Sequence, residues 1–475
     1  MLIPVDAPSS RSGASTKTLT NVNPQAEFLT TGLVHPDFRT HMDHACRAEI
    51  SPRWRLSLGR PLTSGVQHTD SIPPSLTLAV KFFMRIPENF SPESPSTAFT
   101  VKHYHEPYRS SARPEIDLLL SSSHSEPFIC ASPSLRDLAK EVEAFSPIFE
   151  IHVSVFEDLT LIGITHFHAT SDVGGLRTLM HAWARLISGE HIDAIRGIDR
   201  DAAPLEHFRQ QNSRRDRIFL ERDRIVQPPV GSLDDLYLAL FPDNSNTTPD
   251  LVRVPKVFLE DRRREILEDF KLNGSSESVD SSDVLLAWWF KLSYSTRSAS
   301  DTTPIFLHIS VDLRPLVAVF SAPYINHASS TICIEPPIPA TAFRALSLRE
   351  LALRIHRTIA EYQKDLARLE LDLWWRSENP TVPLYRCPPG GEAQLQTDWS
   401  QAGLAGMDFS GARTVGSDAK GTGRVVFVVV DSKEEEKGTG EILMEDENAV
   451  WISQVKLRKE WEKLRSSGKV EFVNI

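Results

Sequence analysis

At 475 residues, with 40 % hydrophobic and 24 % charged residues, the chain is too long for one small core and ordinary in composition, so two globular domains are expected. A net charge of −11 and a pI near 5.8 argue against a nucleic-acid binder, whose domain would be basic. Cys46, Cys130, Cys333 and Cys387 stand too far apart for a metal knuckle or a disulfide framework, and no apolar run reaches the length of a membrane span. Residues 1–25 show no basic-then-apolar leader, so a soluble protein of a reducing compartment, the cytoplasm, is expected, with no membrane partner. The basic clusters Arg214-Arg215-Asp216-Arg217 and Arg262-Arg263-Arg264 have acids among or beside them and read as solvated faces.

The first 30 residues, rich in Ser, Thr, Pro and Asn, read as a loose terminus. Residues 76–84 read as a strand and 132–142 as a capped helix. Residues 149–156 alternate apolar and polar, as a half-buried strand does; Glu157-Asp158 makes a turn, and 159–167 pairs back. Val173-Gly174-Gly175 opens an amphipathic helix with Leu176, Leu179, Met180 and Trp183 on one face. A polar, Arg-rich stretch broken by Pro228, Pro229 and Pro242 reads as an interdomain crossover, at 206–250.

Beyond the crossover, 251–258 reads as a strand and 260–270 as a helix. Ser281-Ser-Asp283 caps an apolar helix over 284–294. Residues 306–311 form the next strand. Ser347 with Glu350 is a capping box that opens a helix to about 369, with Leu348, Leu351, Ile355 and Ile359 on one face. Residues 423–430 contain the longest apolar run and read as a buried strand; 453–464 reads as a charged terminal helix. Strands and helices mix without regular βαβ alternation. The fold class is therefore α+β, with two sheet-plus-helix domains, 1–205 and 251–475.

The chemistry-bearing feature is His168-Ala-Thr-Ser-Asp172, set between a strand end and a helix start. A histidine held there can act as a general base, because its ring is fixed within reach of a proton. The spacing alone is weak: with 16 histidines, about one His-x-x-x-Asp is expected by chance. His308-x-x-x-Asp312 is a second, inside an alternating strand with no glycine turn after it, and reads as coincidence. His166 and His168 share a strand face, but no third metal ligand stands nearby in sequence. Trp288, Trp289, Trp374 and Trp375 read as packing residues, and His103-Tyr-His105 carries no assignment.

Several segments, taken in order, resemble the BAHD acyl-CoA-dependent acyltransferases, most of all the fungal branch that includes trichothecene 3-O-acetyltransferase. They are the strand pair ending in His168-x-x-x-Asp172; Ser281-Ser-Asp-Val-Leu-Leu-Ala-Trp-Trp-Phe290; Ser310-Val-Asp-Leu-Arg314-Pro315 with Tyr324-Ile-Asn-His-Ala328; and Thr397-Asp-Trp399 followed by Asp408-Phe409. The resemblance spans roughly residue 147 to the C-terminus; the first 140 residues match poorly. It departs in places. The family's Asp-Phe-Gly-Trp-Gly becomes Asp408-Phe-Ser-Gly-Ala412, its Asp-Gly becomes Asp172-Val173-Gly174, and its Tyr-x-Gly-Asn becomes Tyr324-Ile-Asn326-His327. These changes put loop geometry and coenzyme A affinity in question more than the base.

The resemblance implies two similar domains of the chloramphenicol acetyltransferase type with an active-site tunnel between them. It implies transfer of an acyl group, acetyl first of all, from acyl-CoA to a hydroxyl of a small specialised metabolite. Acyl-CoA would be a co-substrate, with no permanently bound cofactor, no metal and no covalent intermediate, in a monomer. His168 would be the base, and Trp399 and Thr397 would donate to the tetrahedral oxyanion, where one donor can be worth about 3 kcal/mol. Asp172, Arg314 and Asp408 would be structural, Asp172 pairing with Arg314 rather than orienting the base. Two other readings stand beside this one: an idle acyl-CoA or metabolite binder on the same fold, and a carrier-protein-dependent condensation enzyme. Phe167 between His166 and His168 speaks against the latter.

Overall fold

The computed structural model describes residues 2–4, 98–108, 149–157, 159–166, 171–192, 195, 246–321, 323–378, 387, 390–412, 423–428, 430, 437–468 and 471–472. The expected strand at 76–84, the helix at 132–142, His168 and nearly all of the crossover lie outside the described residues.

Four strands, β1 (Leu2–Pro4), β2 (Ala98–His103), β3 (Phe149–Val155) and β4 (Leu159–His166), form one sheet in the order β1-β4-β3-β2. The β3–β4 hairpin is antiparallel, as the alternation implied; β2 joins β3 in parallel. The chain then enters α1 (Val173–Ile187), where Leu176, Leu179, Met180 and Trp183 are all buried. The spacing of those residues puts them on one stripe, and burying such a side chain is worth about 1.5–3 kcal/mol.

The second unit holds β5 (Thr247–Pro255), α2 (Lys256–Leu272), α3 (Ser281–Tyr294), β6 (Pro304–Asp312), β7 (Ser329–Pro339), α4 (Leu348–Lys364), α5 (Leu366–Glu378), β8 (Glu392–Asp398), β9 (Thr439–Glu445), β10 (Ala449–Leu457), α6 (Arg458–Ser466) and β11 (Glu471–Phe472). Its sheet runs β11-β5-β10-β9-β8-β6-β7, with β8 parallel to both β6 and β9. The mixture of directions makes the fold α+β with two sheet-plus-helix units.

The large sheet has two different faces. Ile305, Leu307, Ile309 and Val311 of β6 join Val284, Trp289 and Phe290 of α3 and Leu351 and Ile355 of α4 in one core. Leu348 and Ile359 pack against it half-buried. Leu251, Leu443 and Trp451, on other strands of the same sheet, belong to a second core. That core also contains Ile151, Val153 and Trp183 of the first unit. The two units are thus joined by shared apolar burial, and residues 402–428 supply Leu404, Met407, Phe409, Val425 and Phe427 to the seam.

Four element boundaries differ from expectation. β5 starts at Thr247, inside the expected crossover, and hands over to α2 at Lys256, so the strand ends earlier than 258. α3 begins at Ser281 with Asp280 as its cap; Asp283 returns a hydrogen bond to the Asp280 N–H at 2.8 Å. The helix from Ser347 breaks at Asp365, whose carboxylate then accepts the Arg368 N–H at 3.0 Å and starts α5. Residues 453–457 complete β10, so α6 begins only at Arg458; Ala449–Lys456 are buried on both faces, which erases the alternation that marks a strand.

In the apolar run at 423–430, Val425, Phe427 and Val428 are buried while Val426 is exposed, and the described residues form no regular strand. The run is tied by one isolated bridge between Asp408 and Arg424, by Val425 N–H to the Met407 carbonyl, and by Val428 N–H to the Met444 sulfur at 3.3 Å. Apolar side chains signalled burial there and said nothing about ladder pairing. Among the described residues no helix is long and apolar enough to cross a membrane.

Candidate active site

The first turn of α1 is locked to the segment that leads into β7. Asp172 caps the helix, its Oδ1 accepting the Gly175 N–H at 2.9 Å. The same carboxylate accepts Arg314 Nη2 at 2.6 Å and Nη1 at 3.2 Å, and the Ala328 N–H at 2.8 Å. These bonds use the roughly four acceptor positions of a carboxylate. Among the described residues, Asp172 thus holds two backbone N–H groups and the Arg314 guanidinium.

Arg314 is equally saturated. Beyond Asp172 it donates to the Tyr324 and Asn326 carbonyls and to Asp312 Oδ1, so its five N–H groups meet five acceptors. Its side chain is 12 % exposed and that of Asp172 7 %. A buried pair is expensive to desolvate, and removing one partner costs about 3–5 kcal/mol because the other charge is stranded. Burial by itself would raise the Asp172 carboxyl. The Arg314 hydrogen bonds, the His327 and Arg314 charges and the Gly175 N–H outweigh it and hold the group below the usual carboxylate range.

Two glycines make this approach possible. A Cβ on Gly174 would meet the Arg314 guanidinium, and one on Gly175 would meet the Ile325 carbonyl oxygen. Ser171 Oγ donates to that same carbonyl at 2.8 Å. On the strand side, His166 Nε2 donates to the Ser171 carbonyl at 3.2 Å, a direction fixed because a carbonyl only accepts. The segment bearing His168 is therefore tied across its two ends, although His168 itself lies outside the described residues.

Thr397 and Trp399 come to the same end of the large sheet. Ile309 stands opposite Gln396 on the parallel strands β6 and β8. β6 runs on to Asp312 and β8 to Asp398, so Arg314 and Trp399 follow the same ends of two neighbouring parallel strands. Trp399 is half-buried against the second core, and its N–H bonds the Ile442 carbonyl at 2.8 Å. The Thr397 hydroxyl donates to the Gly440 carbonyl at 3.3 Å. Burial pushes the Asp398 carboxyl up, against hydrogen bonds from Ser400. Asp408 stands apart. It is half-exposed, it accepts the Ser410 N–H at 2.7 Å, and that hydrogen bonding, with the Arg424 charge, lowers its pKa. Its neighbour Phe409 packs edge-on against Trp183 at 5.0 Å, about three helical turns from Asp172.

Residues 126–446 match the model of the Transferase family. The chain belongs to that family, the BAHD acyltransferases. Relatives include acetyltransferase adrJ of Penicillium rubens, 26 % identical over 306 residues, which cover 59 % of each chain. O-acyltransferase pboC of Aspergillus ustus is 22 % identical over 353 residues, 70 % of this chain and 72 % of that one. The chain thus spans about 59 % of the length of adrJ. In fold it is similar to TRI101 of F. sporotrichioides, solved with coenzyme A and T-2, at a TM-score of 0.59 and 12 % identity over 100 % of this chain and 95 % of that one.

In this Transferase-family chain several contributors carried no sequence signal. Ser171, Ile325 and Ala328 act through one hydroxyl and two backbone groups, which no residue type announces. Asp312 ends the spurious His308-x-x-x-Asp312, yet it is a second carboxylate on Arg314. His308 itself is 1 % exposed in the middle of β6. Asp280, Asp283 and His356 cluster closely enough to hold an ion, but the arrangement is explained as a helix cap: Asp283 bonds the Asp280 N–H and the His356 ring at 2.8 Å each.

Proposed function

We propose that this chain is an acyl-CoA-dependent O-acyltransferase that moves an acyl group, acetyl first of all, onto a hydroxyl of a small specialised metabolite. Family membership and the acetyltransferase and O-acyltransferase names of adrJ and pboC support the reaction class. The coenzyme A and T-2 bound by TRI101 support a thioester donor and a small-molecule acceptor. The observation that carries the reading is the clamp: Asp172 and Arg314 fix the helix start that follows His168 against the sheet end where Thr397 and Trp399 emerge.

In this reading the acceptor hydroxyl loses its proton to His168 as its oxygen attacks the thioester carbonyl carbon. A histidine near neutral pKa suits that role. The carbonyl electrons move onto oxygen, and the Trp399 indole N–H stabilises the oxyanion. The Thr397 hydroxyl adds a second donor by exchanging its bond to Gly440. The oxyanion collapses, the C–S bond breaks, and the departing thiolate takes the proton back from His168. Neither a covalent enzyme intermediate nor a metal enters the scheme. The His166–Ser171 hydrogen bond closes the segment that carries the proposed base, which supports a fixed general base. The enzyme works as a cytoplasmic monomer, with active-site access between the two units.

The test is transfer from isotopically labelled acetyl-CoA into a fungal metabolite extract, read by mass spectrometry for wild type and His168→Ala. Discrete labelled products are expected with wild type, and a fall of about 10²–10⁴-fold with the variant at an unchanged melting temperature. Equal labelling by both proteins would remove His168 from the mechanism. Binding of acetyl-CoA without transfer would mean an idle binder.

A further inference from the structure

The segment that closes the clamp contains a histidine. Tyr324 and Asn326 give their carbonyls to Arg314, Ile325 gives its carbonyl to the Ser171 hydroxyl, and Ala328 gives its N–H to Asp172. Between Asn326 and Ala328 stands His327, half-buried. Its Nδ1 lies 3.4 Å from the Ser329 hydroxyl, and Ser329 stands opposite Asp312 at the end of the β6–β7 ladder. A hydroxyl accepts from a protonated imidazole and donates to a neutral one, so this neighbour suits both forms of the ring.

The charges at this junction do not treat the two forms alike. Asp172 before α1, Asp312 at the end of β6 and Arg314 just beyond it make two carboxylates against one guanidinium, which leaves one negative charge in excess. Among the described residues, His166 on β4, bonded to the Ser171 carbonyl, and the buried Tyr324 phenol are further titratable groups here. Burial raises the Asp172 carboxyl; the Arg314 hydrogen bonds, and after them the His327 charge, pull it down. The coupling is mutual, so the same carboxylate favours a cation at His327. A histidine can supply or withdraw that cation between about pH 5 and 8. The asparagine that the resembled family has at this place cannot.

We propose that His327 is a positioning residue: its protonated ring balances the clamp and holds the first turn of α1 in place for acyl transfer, while its neutral ring slackens that hold. This inference rests on the acyltransferase reading above. His327 acts through Asp172 and takes no proton from the acceptor. The Asp172 carboxyl is held below the usual carboxylate range, so it stays ionised from pH 6 to 8 and adds no pH dependence there. A histidine that gains carboxylate neighbours on folding contributes stability that is present below the unfolded value of about 6.5 and lost as pH rises through the folded one.

The experiment compares wild type, His327→Asn and His327→Lys at pH 6 and pH 8. Urea denaturation is followed without substrate, acetyl-CoA binding by calorimetry, and turnover as the initial rate of label transfer from saturating acetyl-CoA into the fungal metabolite extract. Protonation of His168 is common to all three proteins and cancels in rate ratios. Wild type should have a higher urea midpoint than His327→Asn at pH 6 and the same midpoint at pH 8. Its rate should exceed that of His327→Asn by about three- to tenfold at pH 6, the scale of a half-buried charge contact, and match it at pH 8. His327→Lys keeps a cation at both pH values and should keep its advantage over His327→Asn at both, with acetyl-CoA binding unchanged throughout. A midpoint difference between wild type and His327→Asn that is equal at the two pH values overturns the proposal. So does a rate ratio that ignores pH while the midpoints diverge, which would make His327 structural only. No transfer by wild type at either pH overturns the acyltransferase reading, and the proposal with it.

Discussion

Two ion pairs of this molecule, each built on an aspartate that the family resemblance singled out, behave in opposite ways. Asp172 and Arg314 are buried, 142 residues apart in sequence, and every donor and acceptor of the two side chains is matched. Asp408 and Arg424 meet at 3.8 Å with side chains 49 % and 64 % exposed. The first joins a helix start to the far unit; the second sits on a turn already made by Asp408 and Ser410. Burial and saturation make the difference. A charge pair shapes a site where water cannot replace either partner, and contributes little where it can.

The largest effect that would break this contrast is at Asp172. Asp172→Ala should destabilise the protein by about 3–5 kcal/mol, read as a lower denaturation midpoint in urea at pH 7. An unchanged midpoint would mean that the clamp is not structural. The pH dependence follows from the same carboxyl. Its folded-state pKa lies below the unfolded value of about 3.9, so its contribution is fully present above that value. It is lost as pH falls through the folded pKa, because the unfolded chain binds the proton first. Unfolding free energies between pH 6 and 3 should fall more steeply for wild type than for Asp172→Asn; parallel curves would assign the acid sensitivity elsewhere.

Gly175→Ala should cost about 1–3 kcal/mol, since its new Cβ meets the Ile325 carbonyl rather than a flexible side chain. Thermal denaturation checks this, and the loss should be smaller in an Asp172→Ala background, where the interface is already open. The smallest effect belongs to Asp408→Ala, within about 1 kcal/mol. A loss as large as that of Asp172→Ala would erase the distinction between the pairs.

Much of the fold near the site was legible in the chain. The apolar stripe from Leu176 to Trp183 reports burial on one side of a helix and formed as read; the alternation at 149–156 marked a strand, but Glu150, His152 and Ser154 are buried along with Ile151 and Val153, so both faces of β3 are covered rather than one. Where burial is two-sided or irregular, the signal fails. β10 shows no alternation because both its faces are covered, and the described residues of the run from Val425 are apolar yet join no regular ladder. At the site, Asp172 and Arg314 were linked through a resemblance; no local pattern connects residues so far apart. Ser171, Ile325 and Ala328 could not be read at all, because a backbone carbonyl or N–H is present at almost every position.

The clamp also sets an order of events during synthesis. Asp172 leaves the ribosome 142 residues before Arg314, and at about 5–20 residues per second the interval is roughly seven to twenty-eight seconds. Throughout that time the first turn of α1 has its cap but lacks the guanidinium and the Ala328 amide that hold it. A nascent chain therefore carries α1 without the partner that pins its first turn. The clamp closes only when the second half has been made and docked, which couples the final geometry of the first unit to the completion of folding.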